Sequence, residues 1–311
     1  MKSVLIIAGV SCLLLAAFLL VRPIAGGIGE PTRPNITGRA HNHSSAGSST
    51  TNSGATTSSP TVPSPSISRP SPADAARKDI SNLEKVEDLI LKFTNDERMK
   101  AGKGLQPLTA DDMLRDTARG HSNDMLYRGF YDHIDPDGLN QAGRIAIQHR
   151  RLISRSTGEN ILLMSGPDTS DPNKIAHEMM YGEKGWMNSE GHKKNILDPD
   201  YTHIGIGVSQ QGKEIRATQN FAQVKAYTDQ PLPYQISKGG SINLTVTGVN
   251  GPRADKYDIW SSSQGKKVSE PRDISDSTIT IGPGIYKFRF YFPTPSGDGH
   301  AVYWGPEVEV N

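Results

Sequence analysis

Apolar and polar positions along the chain fall into four regimes. From Val4 to Val21 the chain runs for 18 residues without a charge, bracketed by Lys2 and Arg22. At 1.5 Å per residue such a run makes a helix of about 27 Å, close to the hydrocarbon thickness of a bilayer. Periodicity then vanishes: of the 45 residues in 31–75, 28 are Ser, Thr, Pro or Gly, and none is aromatic or Leu. Helical periods appear from about Ser81, and from Ser237 onward the period is two.

The helical region carries start and stop signals. Ser81-Asn82-Leu83-Glu84 fits a capping box, Leu83, Val86, Leu89, Ile90 and Phe93 follow at helical spacing, and Gly102 and Gly104 close the element. Thr109-Ala110-Asp111-Asp112 opens a second helix, in which Leu114, Ala118, His121 and Met125 share one face until Gly129. His121 on that apolar stripe reads as a satisfied structural histidine. Asp135-Pro136-Asp137-Gly138 reads as a turn, because Leu139-Asn140 breaks the alternation that a calcium loop requires. A further helix is predicted around Lys174–Trp186. Ile204-Gly205-Ile206-Gly207-Val208 and Ile215–Val224 then form a hairpin about Gln211-Gly212, with both strand glycines assigned to packing. His203, and His149 beside Arg150-Arg151, read as surface residues.

Beyond Ser237, runs such as Ile242-x-Leu244-x-Val246, Tyr257-x-Ile259, Ile279-x-Ile281 and Phe288-x-Phe290-x-Phe292 alternate between turn clusters. They predict a small all-β sandwich or barrel of five to seven strands. Tyr286, Tyr291, Tyr303 and Trp304 flank the phenylalanine stripe. Aromatics so placed suit stacking on sugars or a partner protein, or packing against the neighbouring domain, the more ordinary reading.

Composition changes this picture in three places. The net charge of +1 supplies no basic field for nucleic acid. The single cysteine, Cys12, lies inside the first apolar run, so the rest of the chain forms no disulfide. That run exceeds the usual length of a signal-peptide core and is followed by Arg22-Pro23, which favours a retained anchor. Ala25-Gly26-Gly27 offers cleavage as the alternative, in which case the product is secreted. Residues 31–77 cannot bury enough apolar surface to offset their ordering entropy and are expected to be a disordered stalk. Asn35-Ile36-Thr37 and Asn42-His43-Ser44 are glycan-acceptor sequences within it.

Several short strings resemble one family in order. Gly158-Glu159-Asn160-Ile161 resembles the GEN signature of CAP domains (the SCP/PR-1/Ag5 superfamily). Trp186-x-x-Ser189-x-Gly191-His192-x-x-Asn195-Ile196-Leu197 is similar to the matching string of its bacterial, cysteine-free branch. Ile204–Val208 and Thr218-Gln219-Asn220-Phe221 match the family's closing strands, and Asn95-x-Glu97-Arg98 and Ala118-x-x-His121-Ser122-x-x-Met125 its first helices. The resemblance implies an α-β-α sandwich over residues 78–230, followed by the β-sandwich-like segment 235–311, in an α+β chain with a transmembrane helix at 4–21.

The resemblance further implies a cleft in which two histidines and two acids hold a divalent cation such as Zn²⁺. His133, Glu159 and His192 fall on three of those positions. Ser189 stands where a fourth acid is found in other members, so Glu190 or Glu183 would have to substitute. Imidazole and carboxylate suit such an ion, while the alternative is a hydrogen-bonded network that fixes loop geometry. Ser122 and Ser189 are candidate nucleophiles for a serine hydrolase with His192 as base, but neither lies in a nucleophile-elbow string. The expectation is therefore a membrane-anchored, extracytoplasmic binding module whose partner is an extracellular protein, glycan or lipid. A small lipid or sterol carrier, and a metal-dependent or serine hydrolase using the same cleft, are the alternatives.

Overall fold

A computed structural model describes residues 80–102, 104–166, 171–248 and 251–311. The expected anchor at 4–21, Cys12 and the stalk at 31–77 lie outside the described residues. No helix among the described residues is long and apolar enough to cross a membrane.

The chain opens with α1 (Ile80–Ala101), which buries Val86 and Ile90 and stops at Gly102, where φ is 63°. A two-residue strand β1 (Thr109–Ala110) leads into α2 (Asp112–Tyr127), whose first turn is capped by the Asp111 carboxylate accepting from Leu114 N. After the 135–138 turn come α3 (Gln141–Gln148), capped by Asn140, and the long strand β2 (Leu152–Ser165). Next are α4 (Pro172–Tyr181), a 3₁₀ turn at Trp186–Asn188, and α5 (Glu190–Ile196). The expected helix up to Trp186 thus ends five residues early, at Gly182. The hairpin follows as β3 (His203–Gln211) and β4 (Glu214–Thr228).

Alternation along β3 sorts the layers. Ile204, Ile206 and Val208 face a core with Val86, Ile90, Ile175, Met179, Trp186 and Phe221. Gly205 and Gly207 face the other way, onto α2, where a Cβ would stand 2.1 Å and 2.0 Å from the backbone nitrogens of Arg115 and Arg119. Leu114, Ile145, Leu152, Ala222 and Val224 form the smaller core on that side. Helices therefore cover both faces of β3–β4–β2. At the outer edge, β1 pairs with His203 and Ile204, and Val208 N donates to the buried Glu87 carboxylate, itself held by Arg119 Nε.

The C-terminal strands are β5 (Gln235–Ile236), β6 (Val246–Gly248), β7 (Lys256–Ser261), β8 (Lys266–Lys267), β9 (Arg272–Asp273), β10 (Gly284–Pro293) and β11 (His300–Val310). They do not close on themselves. The order β1-β3-β4-β2-β11-β10-β7-β8 joins them to the first sheet through the pair Trp304 and Ser154, and off that path β6 pairs antiparallel with the end of β4, Val246 opposite Thr228 and Gly248 opposite Ala226. Phe288, Phe290 and Phe292 face inward, as the period of two predicts, and Ile153 of β2 and Ala226 of β4 pack in the same core. Ile242, Leu244 and Ile279 are buried there without belonging to strands.

The two histidines expected at the surface, His149 and His203, are buried, and so is Arg150 beside the first. Arg150 reaches the Leu232 and Pro233 carbonyls and lies over the Tyr234 ring. His149 stacks on Tyr227, with His203 edge-on to the same ring. A basic cluster after a helix reads as solvent-facing in one dimension; here the chain that follows β4 folds over it.

Candidate functional site

The Gly-Glu-Asn string lies in the middle of β2, and each member has a separate reason to be there. A Cβ on Gly158 would stand 2.3 Å from Tyr201 Oη, so only glycine lets that ring pack on Phe221. Asn160, fully buried, donates to Gln219 Oε1 at 2.9 Å and to the His192 carbonyl at 3.1 Å. Asn195 donates to Asn160 Oδ1 and to the Glu159 carbonyl, which ties α5 across β2. Trp186 Nε1 donates to the Ile161 carbonyl. The strings that are separate in sequence meet around this one strand.

Glu159 is the acid at the centre. Its side chain is 3% exposed; Oε2 accepts from Arg144 Nη2 at 2.7 Å, and Oε1 lies 2.8 Å from His133 Nδ1. Arg144, from α3, also donates to the His133 and Leu139 carbonyls, so one guanidinium fixes both the carboxylate and the loop bearing His133. His121 Nε2 stands 4.0 Å from Glu159 Oε1 and within hydrogen-bond reach of the Asp132 carbonyl, while its Nδ1 is buried without a partner. His192 joins from α5, its Nδ1 likewise unpartnered.

The histidines differ in protonation because their surroundings differ. Burial holds His121 down to about 4, against the raising effect of Glu159. His133, half in solvent, is raised by its hydrogen bond to Glu159. His192 is lowered by burial and by the nearby His133 charge. At neutral pH the cluster thus offers His121 and His192 as neutral imidazoles around a carboxylate held by a guanidinium. Tyr131 and Ile134, which flank His133 in sequence, are exposed, and so is Leu163, two residues beyond the Ile161 carbonyl that Tyr131 Oη reaches.

Residues 91–221 match the family model described as CAP, the cysteine-rich secretory protein family. Over this segment the chain is similar to the CAP family. The uncharacterized protein YkwD of Bacillus subtilis (strain 168) is 35% identical over 138 residues, covering 42% of this chain and 46% of that protein. The uncharacterized membrane protein YlbC of the same organism is 34% identical over 137 residues, covering 43% of this chain and 34% of the other. The chain therefore spans under half the length of these curated relatives. A crystal structure of an extracellular SCP-domain protein from Bacillus anthracis (strain Ames) is 29% identical, covers 46% of this chain and 41% of that one, and has a TM-score of 0.35.

Of the five side chains expected in the CAP cleft, His133 and Glu159 are in direct contact, and His192 is near enough to His133 to feel its charge. Glu183 and Glu190 are exposed and make no hydrogen bond or ion pair with those three. Arg144 and His121 are the members that sequence reasoning missed. Among the described residues no group of three or more His, Cys, Asp or Glu is arranged to hold a metal ion. At Glu159, Arg144 and His133 each engage one carboxylate oxygen, and the fixed charge of Arg144 disfavours a cation on that carboxylate. Ser122 Oγ is fully buried, donating to the Gly207 carbonyl and sharing a hydrogen bond with Thr218 Oγ1, so it is committed to holding α2 on the sheet. Ser189 precedes α5 and makes no capping bond through its side chain.

Proposed function

We propose that the chain is a surface-displayed binding protein whose CAP cleft takes an extracellular ligand (protein, glycan or lipid) at the rim formed by Tyr131, His133 and Ile134. The observation that carries this reading is the closed pairing of Glu159 with Arg144 and His133. A carboxylate so held fixes the His133 imidazole beside the exposed side chains of Tyr131 and Ile134, a polar group among apolar ones, the combination that small binding sites share. It is a poor general base and a poor metal ligand, and Ser122 is unavailable as a nucleophile. The apolar run at 4–21 and the Ser/Thr/Pro-rich residues 31–77 support display on a tether outside a membrane.

The test uses the purified full-length chain and His133→Ala on lipid, glycan and peptide arrays, with elemental analysis of both. The expected result is wild-type binding within one ligand class that His133→Ala loses, with no stoichiometric zinc. Two results would overturn the reading. One is near-stoichiometric zinc that His133→Ala releases. The other is hydrolysis of p-nitrophenyl acetate abolished by Ser122→Ala while array binding is absent.

A further inference from the structure

A cavity of about 460 Å³ opens between α3, β2 and the outer face of β7, β10 and β11, a different part of the fold from the His133 rim. It arises where two irregular strands part. β2 and β11 pair at Ser154 and Trp304. From that pair β2 shifts register against β4 before Thr157, and β11 shifts against β10 at Gly305-Pro306. Each bulge bends its strand and re-aims side chains, so the strands diverge and α3 covers the gap with Ile145 and His149.

Two indoles form the walls. Trp260 and Trp304 meet edge to face, with centroids 5.5 Å apart and planes at 87°. Arg289 lies over both rings, at 4.8 Å and 5.5 Å. Its Nε donates at 2.7 Å to Asp258, which is fully buried and also accepts from Tyr291 Oη. The aromatic faces are therefore held in place before any ligand arrives. Lys287 and Glu307 pair across strands at 3.4 Å, each 30% exposed, and Ser262 Oγ donates to Glu307. At the other wall the His149 side chain is 4% exposed, its Nε2 is 3.3 Å from the Asp111 carboxylate, and its Nδ1 has no partner.

We propose that this cavity is a binding site for a short saccharide. Pyranose rings have one face of C–H bonds and a periphery of hydroxyls. Rigid indoles match the first, while Lys287, Glu307 and Ser156 match the second with both donors and acceptors. The cavity falls within the roughly 300–1,000 Å³ of small-molecule sites. Of the cations at its edge, Lys287 is paired with Glu307 and Arg289 with Asp258, leaving the exposed Arg155, so the site presents no strong field selecting a multiply charged ligand.

The experiment screens the purified full-length chain on an array of neutral and acidic oligosaccharides. Binders are then titrated by calorimetry and by intrinsic tryptophan emission. The expected result is a saccharide that perturbs tryptophan emission, and whose affinity falls about tenfold in Trp260→Ala. Because loss of an indole could disturb the sheet, Glu307→Gln and Lys287→Met, both at the partly exposed mouth, are measured alongside and should weaken binding without altering circular dichroism. His133→Ala should leave it unchanged, which separates this site from the cleft. No saccharide binding, or binding unaffected by all three cavity variants, overturns the proposal. So does retention of a lipid or peptide, and of no sugar, in a way that depends on Trp260.

Discussion

Taking the guanidinium of Arg144 away would leave the Glu159 carboxylate, 3% exposed, charged beside a single imidazole. Breaking one side of a buried pair costs about 3–5 kcal/mol, whereas replacing both partners with apolar groups is often close to neutral. Arg144→Met is therefore expected to lower stability in urea by that amount, and Arg144→Met with Glu159→Leu to recover most of it. A single variant as stable as wild type would show that the pair does not organise the site. The two histidines next to Glu159 should respond to pH with opposite signs. His121 gains its proton near 6.5 when unfolded but near 4 when folded. Its contribution is whole above pH 6.5 and declines toward pH 4, by on the order of 3 kcal/mol. His133, raised by Glu159, stabilises below pH 6.5 and loses that contribution as pH rises through its folded value; its 53% exposed side chain keeps the effect small. Urea midpoints from pH 7 to 4 should fall more steeply for wild type than for His121→Gln, and parallel curves would refute the assignment. Glu159 and His192 were legible because they sit in short recognisable strings, and His133 as a position implied by the same resemblance. Arg144 was not, since an arginine on a short amphipathic helix looks like a solvated charge until its partner strand is placed. His121 was legible as buried but not as a neighbour of Glu159.

Where α2 meets β3, contact depends on the two strand glycines. An added Cβ at Gly205 or Gly207 would overlap backbone of α2, which cannot yield as a flexible side chain would. Either alanine variant should push helix and strand apart, carrying His121 with them, and should cost at least about 3 kcal/mol or prevent folding. Gly191, in α5, has nothing within 4 Å of an added Cβ, so Gly191→Ala should raise the melting temperature, through up to about 1 kcal/mol. Equal effects at the three positions would contradict this packing. The pattern Ile-Gly-Ile-Gly-Val made β3 readable, with alternate residues apolar and alternate residues tolerating close approach. β2 was less readable as a strand. Between Ser154 and Asn160 it carries no apolar side chain, and Ser154, Glu159 and Asn160 are polar residues at buried positions, which erases the alternation that marks a strand. The overrun of α4 has a similar local cause: Gly182 ends the helix, and a Cβ at Gly185 would sit 2.8 Å from backbone atoms around Met180, so Trp186 enters the core from a tight turn.

Across the whole described structure, the CAP segment and the C-terminal strands are joined by more than the chain that links them. Their strands pair at Trp304–Ser154 and along β6 on β4, Ile153 and Ala226 lie in the core of the C-terminal part, and Arg150 is bonded to carbonyls of the connecting segment. Period-two runs announce strands but carry no information on which edge they will join, which is why a separate sandwich was the natural expectation. Shared core residues make the two parts lose their packing together, so unfolding should be cooperative across both. In a Trp260→Phe, Trp304→Phe chain, the remaining tryptophan, Trp186, reports only on the CAP core. Its emission and the far-ultraviolet circular dichroism of the whole chain should trace one superimposable urea transition. Ile153→Ala, which empties a fully buried site at the join, should shift both traces together by about 2–5 kcal/mol. Were the parts independent, circular dichroism would show a second step and Ile153→Ala would move that step while leaving the Trp186 transition in place. The cavity between them, with its walls drawn from both parts, would then have no fixed shape. Its capacity to hold a ligand therefore depends on the same coupling that this measurement reads.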